Sequence, residues 1–228
     1  MRIIFVRHGH PNYADDCLTD LGKVQAQACA ERLKNRGIKK IYASTCGRAF
    51  ETAQATAEKI GLDVIPLEFM RELHWGARTP DADVFHSGHP WDTAEELFEN
   101  QSVDLTTPAW RDHPYFRDNI VMESVEKVQN GFVDLMSNLG YTYKDGKWFC
   151  ERENNDTVAL FSHGGAGSAA MAKLLGWEFP YACLVIGMNY TSITVIDVPS
   201  RVGKFSLPRI DKINDDAHVT TTKVVFEM

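Results

Sequence analysis

The side chains best suited to chemistry are two histidines that each directly follow a short apolar run. His8 stands in Arg7-His8-Gly9 after residues 3–6, and His163 stands in Ser162-His163-Gly164 after residues 158–161. A second arginine, Arg48, follows a third apolar run. Arginine makes forked, charge-assisted hydrogen bonds to phosphate oxygens, and a neutral imidazole is a nucleophile. These residue types together indicate a site for a phosphorylated ligand.

These side chains can meet only if the apolar runs are neighbouring strands. The run Ile3-Ile4-Phe5-Val6 is rich in β-forming residues and is typical of a strand buried on both faces. In open parallel sheets, ligands bind outside the carboxyl ends of the strands. Helices are predicted to begin after Arg48 and after Gly164-Gly165, so their N-terminal N–H groups would face the same edge.

Strand and helix patterns alternate along most of the chain, which predicts a parallel sheet. We expect an α/β fold of three layers (α/β/α) with a mostly parallel central sheet, formed by a single domain over residues 1–228. The predicted strands are 3–6, 41–43, 64–67, 158–161, 193–198 and 223–226, with a hairpin over 141–149. The predicted helices begin after Thr19 or Asp20, at about 49, at about 93, at 123 and after Gly164-Gly165.

Residues 73–120 break this alternation and are called the insert below. They hold three tryptophans, four prolines and four histidines, and they predict a cap of loops with one helix at about 93–100. Small residues at Ala49, Thr52 and Ala53 predict, in contrast, a helix that lies close to the sheet.

Composition limits the classes of function. The chain has 228 residues, 44% of them hydrophobic, and a formal net charge of −7, which argues against a disordered chain and against a nucleic-acid partner. Five widely spaced cysteines without a C-x-x-C pair indicate a reduced protein. The chain start lacks a signal-peptide core, and no apolar stretch is long enough to span a membrane. We therefore expect a cytoplasmic protein with no membrane partner.

In their order along the chain, these motifs resemble those of the histidine phosphatase superfamily, also called the phosphoglycerate mutase-like family. The residues that carry the resemblance are Arg7-His8-Gly9, Leu18-Thr19 with Gly22, Gln25 and Ala26, Arg48-Ala49 with Thr52-Ala53, Glu72 with His74-Trp75-Gly76, Glu123-Ser124, Ser162-His163-Gly164-Gly165, and Asn214-Asp215 with His218. The resemblance covers nearly the whole chain except the insert and the hairpin.

The resemblance implies a phosphatase that works through a phosphohistidine. His8 would attack the substrate phosphorus as a neutral imidazole. Arg7, Arg48 and His163 would hold the phosphoryl oxygens, with His163 favoured as a cation by the nearby phosphate. Glu72 would protonate the leaving oxygen and later activate water. No metal and no other cofactor is expected, because the protein's own cations offset the phosphoryl charge.

The substrate pocket departs from the family pattern. The family has a polar or acidic residue after the R-H-G motif and then Ser or Thr, where this chain has His10 and Pro11. A family asparagine falls on Ala14, with Asn12 nearby. We expect His10, Asn12 and Gly164 to contact a small phosphorylated substrate, whose identity the sequence does not give.

Two other functions stay open. One is a phosphoglycerate-type mutase, although the insert shows no run of basic residues for a second phosphate. The other is a non-catalytic module that binds a phosphorylated ligand, against which His8 and Glu72 argue. Assembly into a homo-oligomer also stays open.

Some individual assignments have competitors. Glu68, Glu95 and Glu96 are nearby carboxylates that could replace Glu72 as the acid. His86, His89 and His113 fit no zinc template, and surface or cap-lining roles are expected for them.

Overall fold

The computed structural model describes residues 1–221, and its elements follow the predicted alternation of strand and helix. The strands are β1 (Arg2–Arg7), β2 (Pro11–Asn12), β3 (Cys17–Leu18), β4 (Ile38–Ser44), β5 (Val64–Leu67), β6 (Tyr141–Lys144), β7 (Lys147–Cys150), β8 (Thr157–Ser162), β9 (Ile193–Asp197), β10 (Phe205–Ser206) and β11 (Arg209–Asp215). The helices are α1 (Asp20–Leu33), α2 (Gly47–Ile60), α3 (Pro90–Glu99), α4 (Pro114–Arg117), α5 (Val121–Asn138), α6 (Gly164–Leu175), α7 (Phe179–Val185) and α8 (Ala217–Thr221). Within these 221 residues, no helix is both long and apolar enough to cross a bilayer.

The central sheet confirms the predicted fold class. Its strand order is β11-β9-β1-β8-β4-β5, and the four strands from β1 to β5 in this order run parallel to their neighbours. Only the pairings of β9 with β1 and with β11 are antiparallel. Strand β8 lies between β1 and β4, so Val6 pairs with Phe161 and Ala43 pairs with the same residue from the other side.

Alternate side chains of the sheet bury against two helical layers. Ile4 and Val6 pack with Cys29 and Leu33 of α1 and with residues of α2. Side chains on the opposite face, such as Phe5, pack against α5, α6 and the insert. Burial of each such side chain stabilises the fold by about 1.5–3 kcal/mol. Both faces of the sheet therefore contribute to the stability of the three-layer fold.

Helix ends follow local signals, with one shift that matters for the site. Thr19 caps α1, since its Oγ1 accepts a hydrogen bond from Gly22 N at 3.1 Å, as predicted. Helix α2 begins at Gly47 and not at about 49, because the Cys46 carbonyl already accepts from Ala49 N and Phe50 N. Arg48 therefore lies in the first helical turn and not in a loop.

The insert has more helix than the sequence indicates. Helix α3 begins at Pro90, three residues before the predicted start, and the short α4 was not predicted. The fully buried Asn119 holds the insert to itself: its Oδ1 accepts from Gly76 N (3.1 Å) and Val121 N (2.9 Å), and its Nδ2 donates to Gly88 O (2.8 Å). One amide thus joins two loop segments of the insert to the start of α5.

The strand nearest the end of the described chain differs from the expectation. The sequence predicts a strand at 223–226, which lies outside the described residues. The structure shows β11 at Arg209–Asp215, beside β9. The first five residues of β11 are exposed, so this edge strand has no alternation of apolar and polar residues that could reveal it.

Candidate active site

The nucleophile candidate His8 directly follows β1. Its backbone N–H donates to Ser162 O at 2.9 Å, which continues the β1–β8 pairing beyond the strand end. The side chain is buried, and Nδ1 lies 2.7 Å from Gly9 O. A carbonyl can only accept, so Nδ1 carries the proton. The lone pair is then on Nε2, which faces Arg48 Nε at 3.4 Å.

Burial keeps His8 neutral. Desolvation lowers the pKa of His8 from 6.5 to about 3, and the charges of Arg7 and Arg48 act in the same direction, while the Gly9 carbonyl opposes them. Above this pKa the imidazole has a free lone pair on Nε2. A neutral imidazole is the form that a nucleophile needs.

His163 lies beside His8 at the end of β8. The two ring centroids are 5.2 Å apart, and His163 Nε2 lies 2.8 Å from Ser44 Oγ at the end of β4. Burial, followed by His8 and the two arginines, lowers the pKa of His163 well below its usual value. The side chain is therefore neutral without a ligand. Its buried Nδ1 has no hydrogen-bond partner within the described chain.

Two arginines approach the histidines from different elements. The Arg7 guanidinium donates to Met188 O and lies 4.4 Å over the Tyr190 ring. Arg7 Nε is buried without a partner among residues 1–221. Arg48 is mostly buried, and its guanidinium lies 5.2 Å from the centre of the exposed Tyr13 ring.

A carboxylate already occupies part of this cationic site. Asp16 Oδ1 pairs with the Arg48 guanidinium, and Asp16 Oδ2 accepts from Gly47 N at 2.9 Å. Gly47 N belongs to the N-terminus of α2, where helices attract anions. An anion that binds between Arg48 and α2 must compete with Asp16.

Glu72 lies at the N-terminus of α6. Its Oε1 accepts from Ala166 N at 3.1 Å and from Leu73 N at 3.0 Å. Burial raises the pKa of Glu72, while these two N–H groups and the nearby arginines act against the rise. The net direction favours the protonated carboxyl, which is the form of a general acid.

The competing carboxylates lie elsewhere. Glu68 accepts from Thr45 Oγ1 at 2.6 Å and is exposed. Glu95 and Glu96 lie on α3, where Glu96 is bound by the Asn100 side chain. Of the four candidates, Glu72 is the one that contacts the first turn of α6.

The residues expected to contact the substrate have different surroundings. His10 Nδ1 lies 3.0 Å from Thr19 Oγ1, and its ring is 5.4 Å from that of Tyr190, which also lies 5.8 Å from His8. Gly164 begins α6 next to Arg7. Asn12, in contrast, uses both side-chain atoms within its own loop, with Ala14 N and Asp15 as partners.

Sequence reasoning missed Asp16, Ser44 and Tyr190. Ser44 directly follows the predicted strand 41–43, at the same edge as His163, and this position could have revealed it. Tyr190 lies in a loop supported by the C-terminal segment, where Asn189 N donates to Asn214 Oδ1 and Asn189 Nδ2 to Asp216, both at 2.8 Å. No short sequence motif predicts the contact of Tyr190 with Arg7, because it depends on residues from the C-terminal segment.

The histidines of the insert have protein partners. His113 Nδ1 accepts from Tyr115 N at 3.3 Å and caps α4. His89 lies between two tryptophans, and His86 contacts Phe85 edge-to-face. In the part of the chain that the structure describes, no three His, Cys, Asp or Glu side chains are grouped so that they could hold a metal ion.

The chain is similar to known proteins in sequence and in fold. The family model for the histidine phosphatase superfamily (branch 1) matches residues 3–210 and confirms the resemblance found in the sequence. A relative from Yersinia pestis (strain Pestoides F), named probable phosphoglycerate mutase GpmB, is 26% identical over 186 residues, which are 77% of this chain and 75% of the relative.

Solved structures share the fold. A mycobacterial glucosyl-3-phosphoglycerate phosphatase in complex with VO3 superimposes with a TM-score of 0.62 at 23% identity, over 93% of this chain and 98% of that one. Phosphoserine phosphatase from Entamoeba histolytica, in complex with 3-phosphoglyceric acid, gives a TM-score of 0.62 at 22% identity, over 96% and 98% of the two chains.

Proposed function

We propose that this chain, which belongs to branch 1 of the histidine phosphatase superfamily, is a phosphomonoesterase that forms a phosphohistidine on His8. The observation that carries the proposal is a buried, neutral His8 whose Nε2 faces Arg48 and lies beside His163. Glu72 supports it as a carboxyl whose pKa is raised at the same edge of the sheet. The substrate is a small phosphorylated metabolite.

In the first step, a bond forms between His8 Nε2 and the substrate phosphorus while the bond from phosphorus to the leaving oxygen breaks. The proton of the Glu72 carboxyl passes to that oxygen, so a neutral alcohol leaves and Glu72 becomes a carboxylate. The Gly9 carbonyl stabilises the Nδ1 proton of the phosphorylated ring.

In the second step, the Glu72 carboxylate takes a proton from water as the water oxygen attacks phosphorus. The bond between phosphorus and Nε2 breaks, inorganic phosphate leaves, and His8 and Glu72 return to their starting forms. Glu72 thus serves first as acid and then as base.

The charge of the phosphoryl group is met by Arg7, Arg48 and His163. Arg7 Nε and His163 Nδ1 are buried nitrogens without a protein partner in residues 1–221. The phosphoryl oxygens would accept from Arg7 Nε and, once the His163 ring is protonated, from its Nδ1. A dianion close to His163 opposes the burial that keeps its ring neutral and favours protonation. The helix N-termini of α2 and α6 add partial positive charge.

The proposed setting is the cytoplasm. The five cysteines are free, and four of them are buried, which suits a reducing compartment. The chain's acidic character gives no support for a nucleic-acid partner.

The test is release of inorganic phosphate from phenyl phosphate by the wild-type protein and by His8→Ala. We expect His8→Ala to lose at least about a thousandfold in kcat, because the covalent intermediate forms on the His8 imidazole. His74→Ala, at an exposed histidine with no role in the proposed mechanism, is the matched control and should keep most of the activity. Rapid quenching of the wild type should yield an acid-labile phosphate on the peptide that contains His8. Equal rates for wild type and His8→Ala would exclude the proposal.

A phosphoglycerate mutase is the second candidate, supported by the name of the Yersinia relative. A mutase must keep water from the phosphohistidine, whereas a phosphatase must admit it. Incubation with 3-phosphoglycerate should therefore be followed for both 2-phosphoglycerate and free phosphate. Isomer formation without phosphate release would replace our proposal with this one.

A further inference from the structure

The position of Glu72 shows where the alcohol part of a substrate lies. Glu72 Oε1 contacts Ala166 N, and a Cβ added to the neighbouring Gly165 would lie 2.7 Å from the same oxygen. If Glu72 protonates the leaving oxygen, the alcohol must begin at the first turn of α6. The neighbouring parts of the protein therefore select the alcohol.

The first of these neighbours is Trp91 of α3. A Cβ added to Gly164 would lie 3.5 Å from Trp91 Cη2 and 3.9 Å from Arg7 Cζ. The indole is thus separated from the phosphate-binding arginine by little more than the width of one side chain. Trp91 and Glu72 thus lie against two neighbouring residues, Gly164 and Gly165, of the first turn of α6.

Trp91 is one end of a row of three rings in the insert. Its ring lies 5.4 Å from that of His89, which lies 4.9 Å from that of Trp75 in an edge-to-face arrangement. Both tryptophans are partly exposed. Rings of this kind present flat apolar surface at a low cost in conformational entropy.

The second feature is the negative charge of the helix that carries Trp91 and of the insert as a whole; the helix carboxylates line a cleft of their own. Helix α3, which carries Trp91, has four carboxylates and neither lysine nor arginine; the four are Asp92, Glu95, Glu96 and Glu99. All four line one cleft together with Phe85 and His86. Over residues 73–120 there are nine acidic residues and three basic ones, a formal charge of −6 out of −7 for the chain.

The three arginines of the insert are already engaged. Arg78 pairs with Glu123 and also donates to Asn119 O. Arg117 pairs with Asp118 at 2.7 Å, and Arg111 lies over the Trp110 ring, 4.0 Å from Glu126. A carboxylate on the substrate would have to take one of these cations from its present partner.

We propose that the physiological substrate is the phosphate monoester of a neutral or cationic alcohol that has an apolar or aromatic face and no carboxylate or second phosphate. This inference rests on the proposed function. Trp91 gives stacking surface beside the first turn of α6, and the net negative charge of α3 and the insert disfavours the approach of a further anion. The carboxylate-bearing compounds named with the relatives are therefore expected to be poor substrates here.

The experiment compares substrate pairs that differ only in a carboxylate. The pairs are glycerol 3-phosphate with 3-phosphoglycerate, phosphoethanolamine with phosphoserine, and phenyl phosphate with 4-carboxyphenyl phosphate. We expect kcat/KM to be about tenfold or more higher for the first member of each pair, with most of the difference in KM. The ratio should fall toward one as ionic strength rises, because salt screens the exposed carboxylates.

Two variants separate charge from stacking. Asp92→Asn combined with Glu95→Gln should lower the ratio within each pair several-fold, whereas Glu58→Gln with Asp63→Asn, which changes the net charge equally outside the insert, should not. Trp91→Leu should raise KM for phenyl phosphate about three- to tenfold. Phe98→Leu, an exposed position on the same helix, is the control and should leave KM unchanged.

The outcomes separate the two proposals. Turnover of all six compounds with a preference for the carboxylated members, or with no preference, would overturn this inference and leave the phosphatase proposal standing. A lack of turnover on every compound, phenyl phosphate included, would overturn both.

Discussion

The edge of the sheet and the insert beside it differ in almost every physical property. At the edge, β1, β4 and β8 end together, and two arginines and two helix N-termini give the pocket positive charge beside two neutral histidines. The insert carries a formal charge of −6 and is joined by one buried asparagine and by packed aromatic rings. The edge residues stand on long regular elements, whereas the insert has short helices and turns.

Under the proposed function, this difference gives the two regions separate tasks. Regular elements hold side chains in place within fractions of an ångström, which suits groups that must touch phosphorus. The insert can vary in shape and charge without disturbing the sheet, which suits selection of the alcohol. Changes at the edge should therefore alter kcat, and changes in the insert should alter KM or local stability.

Glu72→Gln tests the edge and has the largest expected effect. The amide cannot supply a proton, so kcat for alkyl phosphates should fall about 10²–10³-fold. Phenyl phosphates with electron-withdrawing groups should be affected much less, because their leaving oxygen needs no proton. Glu68→Gln is the matched control and should stay near the wild-type rate. A uniform loss across leaving groups would count against Glu72 as the acid.

Asn119→Ala tests the insert through stability. The change leaves Gly76 N, Val121 N and Gly88 O without their partner, which should lower the free energy of unfolding by about 2–4 kcal/mol. The exposed Asn100→Ala should have little effect. Urea denaturation measures both, and limited proteolysis should cut the variant first within 73–120. First cleavage in α1 or α2 would contradict the separation of the two regions.

The pH dependence of stability tests the burial of His8. In the folded state the pKa of His8 is about 3, against 6.5 when exposed. Between these values the unfolded chain binds a proton that the folded chain does not, so stability is full above pH 6.5 and is lost as the pH falls. From pH 7 to pH 5, His8 alone should cost about 2 kcal/mol. His8→Gln should reduce this slope, the exposed His74→Gln should not, and identical slopes would exclude neutral burial of His8.

Asp16→Asn has the smallest expected effect and sharpens the description of the edge. The amide oxygen can still accept from Gly47 N, but the charge opposite Arg48 is removed. Inorganic phosphate should then inhibit about three- to tenfold more strongly, because an anion no longer competes with a carboxylate. Asp15→Asn, at the exposed neighbouring position, is the control. Weaker inhibition of Asp16→Asn would show that Asp16 positions Arg48 for phosphate.

Sequence patterns predicted the edge better than the insert, for a physical reason. The strands that carry His8 and His163 are buried on both faces and therefore have continuous apolar sequences. The ends of these two strands were predicted from the glycines and polar residues that directly follow each apolar run. Arg48 was predicted at the edge but in a loop, because Gly47 at a helix start resembles a turn residue.

Other parts depend on contacts between distant segments. The Asp16 carboxylate reaches Arg48 only because the loop before β3 folds back on α2. Tyr190 reaches Arg7 because Asn214 and Asp216 hold its loop from the far end of the chain. In the insert, the Asn119 side chain connects segments that are separate in sequence. Hydrophobic periodicity cannot predict such a contact, because it does not identify which asparagine is buried.

The order of strands in the sheet has a consequence for biosynthesis. Strand β8 separates β1 from β4, yet a ribosome makes it only after α2, β5, the insert, α5 and the hairpin β6–β7. A nascent chain that has reached β5 already contains His8, Arg7 and Arg48, but it lacks the strand β8 that brings them together. Such incomplete chains should be inactive. Insertion of β8 between β1 and β4 should be a slow, late event in folding, because it pairs segments that are far apart in sequence.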